Sequence, residues 1–508
     1  MNHFDVVIVG AGSAGCALAA RLSENPQRTV LLLEAGSDFV EPSHGFVDPL
    51  LDGSAMVGAA AGHRANWSLE ARLTAAKQVI LPRGKVMGGS STVNGGVFVR
   101  ATLADFDGWA ALGNDEWSFA KVLPFLKRLE DDRDFPDGEF HGSGGPMPVS
   151  RALDCGLHPL SDAFATACAA LDFAEEIDKN APRPPGFGRL PLNVIDGVRV
   201  NAAMAYITPH RSRANLTIES GVRARRVVVN QARAVAVETE RCGSTETFHG
   251  DEIVLCAGAA LSPHLLLVSG IGPAAVLRRH GIAVVSDLPG VGTHCSDHPQ
   301  LFVGFEVSRN LPRRNGAGVV EVSLDTVVDG APVSLMPYVA PMTELVPGSA
   351  SSATELLLGI VLERAASAIE ISLASRDPDD APSIEYHALE SSSDRARLRG
   401  AVEVGLSILD SVSLIDHGLR RTAPTLAADL DSWIAENITT AAHLCSSAPM
   451  GPDTDSLAVV DQYCRVRGVE GLRVVDTSVL PTAPSRGPAA TAILIGERAS
   501  AFFDGVST

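Results

Sequence analysis

The sequence predicts an α/β fold: a Rossmann-like dinucleotide-binding domain joined to a second domain built on a mainly antiparallel sheet with helices. Three observations carry that expectation. Residues 4–36 present a strand, a glycine turn, a helix, a second strand and an acid, in the order a βαβ nucleotide-binding unit requires. The 508-residue length exceeds what one core ordinarily supports, so two domains are the default. Residues 300–440 carry repeated β-like runs around a helix at 393–410, as a separate mixed sheet would.

The amino-terminal elements follow from local chemistry. Val6, Val7, Ile8 and Val9 form an apolar run long enough for a buried strand and too short for a helix. Gly10, Gly12 and Gly15 then match G-x-G-x-x-G, with Ser13 and Ala14 between them. Gly10 permits a tight turn, Gly12 lets backbone approach a pyrophosphate, and Gly15 lets the helix over Cys16–Leu22 pack on the strand. The start of that helix offers unpaired N–H groups and partial positive charge to phosphates. Val30–Leu33 is the second strand, and Glu34, followed by Ala35, stands 19 residues beyond Gly15, where an acid meets a ribose hydroxyl. The pattern by itself does not separate one dinucleotide from another.

Composition narrows the partners. A net charge of −19 argues against nucleic acid and anionic membrane. The eight cysteines are scattered without C-x-x-C or metal-ligand spacing, so no metal is expected and the thiols read as reduced, in a cytoplasmic protein. No basic leader precedes the first strand, and the three motif glycines interrupt the longest apolar stretch, so neither a signal peptide nor a membrane span is expected. Membrane association is at most peripheral.

Residues 38–80 read as irregular loops over the nucleotide site. Next comes a second glycine-rich loop, LPRGKVMGGSSTVNGGVFVRA at 81–101, in which Val86, Gly89, Ser90, Asn94, Gly95, Gly96 and Val97 can present backbone and hydroxyl donors to a cofactor. In FDGWAALGNDEWSFAKVLPFLKRLED (106–131), Asp115 or Ser118 can cap a helix whose apolar face includes Val122, Leu126 and Leu129. A helix at 158–171 follows. Four strand-like runs between 201 and 258 return to the first domain, with Asp251–Gly258 as its final parallel strand. In GAALSPHLLLVSGIGP (258–273), Ser262 can cap a helix with Pro263 in its first turn. Residues 472–476 are strand-like and 489–499 helix-like.

Taken together, the segments at 81–101, 106–131, 258–273 and 441–500 resemble the glucose–methanol–choline (GMC) oxidoreductases, flavoenzymes that oxidise alcohols with FAD. The resemblance spans nearly the whole chain. It implies an FAD-binding domain at 1–132, 196–290 and 458–508, and a substrate domain at 133–195 and 291–457. It also places the adenine near Ala224, the pyrophosphate and ribityl chain near Asp476 and Thr477, and the flavin pyrimidine near Pro488 and Ala489. His443 falls on the family's catalytic histidine, a group that titrates near neutrality and suits removal of the hydroxyl proton.

The sequence departs from the family's usual residues in three places, and a fourth position bears on how the cofactor is held. Met87 replaces a β-branched residue or Leu, and His443-Leu-Cys-Ser-Ser-Ala-Pro-Met450-Gly451 differs from the usual His-Pro-x-Gly-Thr-Cys-x-Met-Gly. The second catalytic position, His or Asn in relatives, falls on Gly487, which leaves Arg486 or a water to take that role, or His443 to act largely alone. Asn94 stands where some members link histidine covalently to FAD, so dissociable FAD is expected.

Residues 145–149, 191–199 and 485–497 further resemble mycofactocin-associated members of the family. The resemblance implies oxidation of an alcohol, including mycofactocinol, with electrons passed to an acceptor other than NAD, such as a quinone or respiratory chain. An oxygen-using oxidase of small alcohols or sugars is the alternative. So is a redox-neutral flavin-dependent lyase or an inactive flavin-binding relative.

Overall fold

The β-branched run Val6–Val9 forms the enclosed part of a strand, His3–Val9, in which Val7 and Ile8 have no solvent exposure. The computed structural model describes residues 3–38, 49–308, 317–349, 352, 354–415, 418–423 and 429–503. The first helix, Ser13–Leu22, begins three residues after the motif's first glycine, and the second strand runs Val30–Glu34. Val6–Val9 and Val30–Glu34 are buried on both faces, which is why they read as continuous apolar runs rather than alternating ones. Each fully buried Val, Ile or Leu here contributes about 1.5–3 kcal/mol.

These strands centre a seven-stranded sheet. Leu216–Ser220, Val30–Glu34, His3–Val9 and the second half of Ser244–Leu255 run parallel in that order. The first half of Ser244–Leu255 continues into an antiparallel meander with Arg233–Arg241 and Arg223–Asn230. Leu472–Val474 pairs in parallel beyond residues 253–255, so Asp251–Gly258 is not the last parallel strand. The carboxy-terminal chain supplies that edge, and the strand expected at Asp251 begins earlier, at Ser244.

A second seven-stranded sheet is antiparallel. Pro299–Val307 lies between Leu419–Ala423 and Leu356–Leu362, followed by Ala331–Pro337, Val322–Val328 and Phe187–Arg189, while Thr439–Thr440 also pairs with Pro299–Val307. The helices Pro159–Ala170 and Ser392–Leu409 share a core with it through Phe164, Leu398 and Val402.

Three local expectations differ from the structure. Residues 49–80 are not merely loops: Leu69–Thr74 and Lys77–Leu81 form a hairpin, its alternating buried and exposed residues matching a half-buried strand. Residues 39–48 lie outside the described residues. The hairpin pairs with Ser383–Glu385 and, through it, Glu370–Ser372, so AIEISLAS belongs to a small third sheet rather than to the large antiparallel one. Finally, Leu261 occupies the N-cap before Ser262–Val268, because the Ser262 hydroxyl is drawn to the Asp476 carboxylate. Ser118 does hold the N-cap position of Phe119–Leu129, without a side-chain bond, and Asp115 opens a short 3-10 turn before it. Among the described residues, no helix is long and apolar enough to cross a membrane.

Candidate active site

A cavity of about 420 Å³ runs between the parallel sheet and the antiparallel one, and residues from both walls line it. At its phosphate end, Gly12, Ser13 and Ala14 lie on the wall, with Gly12 the uncapped N-terminus of the first helix. Gly10 has φ +106°, and a Cβ there would meet the Cys256 carbonyl oxygen at 2.5 Å, so glycine is required. The second glycine-rich loop closes on the same point: a Cβ on Gly89, at φ +54°, would sit 2.7 Å from Gly12 Cα. Gly15 is off the wall and serves packing, since a Cβ would strike the Gly10 carbonyl at 2.0 Å.

Beside these loops, Glu34 caps the turn of the βαβ unit. Its carboxylate accepts from the Ala11 N–H at 3.0 Å and the Gly36 N–H at 2.8 Å. Burial pushes its pKa up to about 7, against the opposing pull of those amides. Ala35 and Ala224 complete this end of the cavity. Further along, Ser90, Asn94, Gly95 and Val97 line the wall, whereas Val86 is buried in a small cluster with Leu50 and Ala65, and Gly96 packs against Val194. The Asn94 side chain accepts from the Gly96 N–H at 3.0 Å, which holds the loop shut on itself.

Asp476 organises the junction of strand, helix and cavity. Its carboxylate accepts from the Gly258 and Ser478 N–H groups and from the Ser262 and Ser478 hydroxyls. Burial raises its pKa despite these four donors. With the carboxylate so engaged, Asp476 shapes the backbone that Asp476 and Thr477 present to the cavity. Pro488 and Ala489, at the uncapped start of the final helix Ala489–Ser500, also line the wall.

His443, Arg486 and Gly487 meet at the far end. Asp297 holds the His443 backbone, accepting its N–H at 2.6 Å. The same carboxylate accepts from the His298 N–H, the Thr440 hydroxyl and the Tyr386 hydroxyl, which fixes the turn that presents the imidazole. Burial pushes the His443 pKa well below the ordinary histidine value, and the neighbouring His298 ring and Arg83 guanidinium push the same way. A neutral imidazole with a free lone pair is the form a general base needs.

Arg486 is buried against Glu176 at 2.7 Å and Asp325 at 3.1 Å, and it also donates to the Lys179 carbonyl. Its charge is therefore neutralised within a four-membered cluster with Lys179. Gly487 contributes open space beside the His443 ring.

Asp297, His298, Arg83 and Glu363, whose carboxylate lies 3.0 Å from Nδ1 of His298, do not stand out in the sequence. Asp297 and His298 sit in LPGVGTHCSDHP, which read as a connecting loop. An acid directly before a histidine was the available signal, but only the fold brings it to His443.

The residues present fit an FAD. Two uncapped helix starts face one cavity, the two glycine loops touch without side chains, and a buried carboxylate waits at the end of the second strand.

The chain is similar to known proteins along its length. A family model described as GMC oxidoreductase matches residues 4–300, and its carboxy-terminal counterpart matches residues 366–496. The chain is 40% identical to an uncharacterized GMC-type oxidoreductase in the thcA 5' region of Rhodococcus erythropolis, over 99% of both proteins. It is 32% identical to an oxygen-dependent choline dehydrogenase of Vibrio vulnificus, covering 98% of this chain and 94% of the relative. The crystal structure of pyridoxine 4-oxidase from Mesorbium loti superposes with a TM-score of 0.89 at 30% identity, over 99% of this chain and all of that one.

Proposed function

The chain belongs to the GMC oxidoreductase family, whose members bind FAD, and from that premise we propose that it oxidises an alcohol with His443 as general base. The observation that carries this reading is the convergence of the neutral His443 imidazole and the glycine-lined nucleotide walls on one cavity.

The proposed division of the chain separates its two seven-stranded sheets, while the sheet of Leu69–Thr74 and Ser383–Glu385 spans both parts. Residues 1–132, 196–290 and 458–508 hold the cofactor, and residues 133–195 and 291–457 enclose the substrate. Gly12 and the first helix receive the pyrophosphate, Glu34 the ribose, and the Asn94–Val97 loop and the start of the last helix the flavin. Asn94 offers no imidazole for a covalent link, so the cofactor dissociates on denaturation. When bound, FAD would supply the hydride acceptor for the carbinol carbon.

The chain's own residues do the rest. Met336, Tyr338 and Val319 give the substrate end apolar surface on which the carbon skeleton can pack. Gly487 leaves room for the carbinol beside the ring. The hydroxyl proton passes to Nε2 of His443, while Asp297 holds the ring in place through its backbone. The segments at 145–149, 191–199 and 485–497 favour mycofactocinol among the candidate alcohols, with an acceptor other than NAD.

Anaerobic mixing of the FAD-loaded protein with choline, pyridoxine, benzyl alcohol and reduced mycofactocin tests the reading. Bleaching of the flavin absorbance by at least one is expected, with about a 10²–10⁴-fold slower rate in His443→Ala. Peroxide on admitting air assigns an oxidase, and turnover only with an artificial acceptor assigns a dehydrogenase. No bleaching by any of the four overturns the proposal.

A further inference from the structure

His298 is fully buried, yet both its ring nitrogens are committed. Nε2 lies 2.9 Å from the Pro484 carbonyl, which can only accept, so Nε2 carries a proton. Nδ1 lies 2.9 Å from Nδ1 of His443 and 3.0 Å from a carboxylate oxygen of Glu363. A 2.9 Å contact between two ring nitrogens has room for one proton, and the Glu363 oxygen beside it is buried without a hydrogen-bond partner.

We infer that His298, backed by Glu363, is a positioning and proton-relay residue for His443, in the place of the partner that Gly487 lacks. This inference rests on the alcohol-oxidation reading above. In the resting pair the shared proton sits on Nδ1 of His443 and is accepted by the Nδ1 lone pair of His298. That tautomer leaves Nε2 of His443 free toward the cavity.

When Nε2 takes the substrate's hydroxyl proton, the shared proton crosses from Nδ1 of His443 to Nδ1 of His298. One N–H bond breaks and one forms; His443 ends neutral with its proton on Nε2. The positive charge ends on His298, against Glu363 and within reach of the Pro484 carbonyl. The electrostatics agree with that direction. Burial disfavours charge on both rings, but Glu363, with Asp297 behind it, raises the His298 pKa, while Arg83 and His298 depress that of His443.

Nitrogen-15 histidine NMR on the resting, oxidised protein tests this without turnover. The expected result is that His298 protonates at higher pH than His443 and that Glu363→Gln lowers the His298 titration. His443 protonating first, or no response to Glu363→Gln, overturns the inference.

Anaerobic flavin reduction by the most reactive of the four alcohols gives the second arm. His298→Asn keeps an acceptor oxygen opposite His443 Nδ1 but cannot carry the proton. It is expected to slow reduction at least tenfold with KM little changed. Glu363→Gln is expected to shift the rising limb of the pH–rate profile to lower pH. Variants that fold, load FAD and reproduce the wild-type rate and profile overturn the relay. Failure of wild-type protein to bleach overturns the alcohol-oxidation reading instead, and the NMR titration still decides the coupling.

Discussion

Gly487 and His443 face each other across the catalytic end of the cavity: a Cβ on Gly487 would lie 3.4 Å from Cε1 and 3.6 Å from Nε2 of the imidazole. These are ordinary contact distances, and no left-handed backbone constrains position 487. Gly487→Ala is therefore expected to fold with stability within about 0.5 kcal/mol of the parent. Its methyl group occupies space that the carbinol must enter, so flavin reduction by benzyl alcohol is expected to fall more steeply than reduction by a small aliphatic alcohol. Stopped-flow absorbance with both alcohols checks this. An equal response to both would remove the substrate from that side of the ring.

The contact between the two glycine loops predicts a different phenotype. Gly89→Ala places a methyl 2.7 Å from Gly12 Cα at a φ of +54°, where backbone on both sides must shift. The expected result is a folded protein purified with little flavin, measured as the ratio of flavin to protein absorbance. Gly108→Ala, whose Cβ meets nothing within 4 Å, serves as the control and retains full occupancy.

Much of the nucleotide half was legible because its signals are local. Four apolar residues, three glycines and an acid within about thirty positions each report their own backbone or burial requirement. The antiparallel sheet was less so. Leu356–Leu362 is wholly buried and so lacks the alternation that marks a strand, and Glu370–Ser372 pairs with Ser383–Glu385, whose other partner, Leu69–Thr74, lies far earlier in the sequence. The relay was least legible. The His298–His443 contact joins residues 145 apart, and no local pattern distinguishes a loop histidine that will be buried against another from one that will face water.

A buried ionic cluster away from the cavity sets a pH limit on stability. His141 Nδ1 lies 2.9 Å from Asp132 and 3.1 Å from Glu130, and its Nε2 is 2.8 Å from Asp178. Burial opposes its charge, but Asp132, Asp178 and Glu130 prevail and raise its pKa to about 10. A histidine pKa raised on folding stabilises fully below its unfolded value of about 6.5 and loses that contribution as pH climbs through about 10. Tm is expected to decline across that window, and His141→Asn is expected to flatten the decline while lowering Tm at neutral pH. Arg100 and Arg151 already neutralise the same acids, so chelators are expected to leave Tm unchanged. Thermal melts at several pH values, with and without EDTA, measure both.

Arg486 can be separated from the chemistry by comparing stability with rate. Its guanidinium, 7% exposed, bridges Glu176 and Asp325, and Lys179 contacts the same two acids. Arg486→Met leaves two buried carboxylates with one cation, and removing one partner of a buried ion pair costs about 3–5 kcal/mol. Arg486→Lys keeps the charge but not the forked geometry, so a smaller loss is expected. If the arginine's role is to neutralise this cluster, both variants lose Tm in that order, while flavin reduction per folded, loaded molecule changes by less than about tenfold. Stabilisation of developing alkoxide charge would give the opposite split, with a rate loss of about 10²–10³ at nearly unchanged Tm. Denaturation midpoints and single-turnover reduction rates, measured on the same preparations, decide between the two.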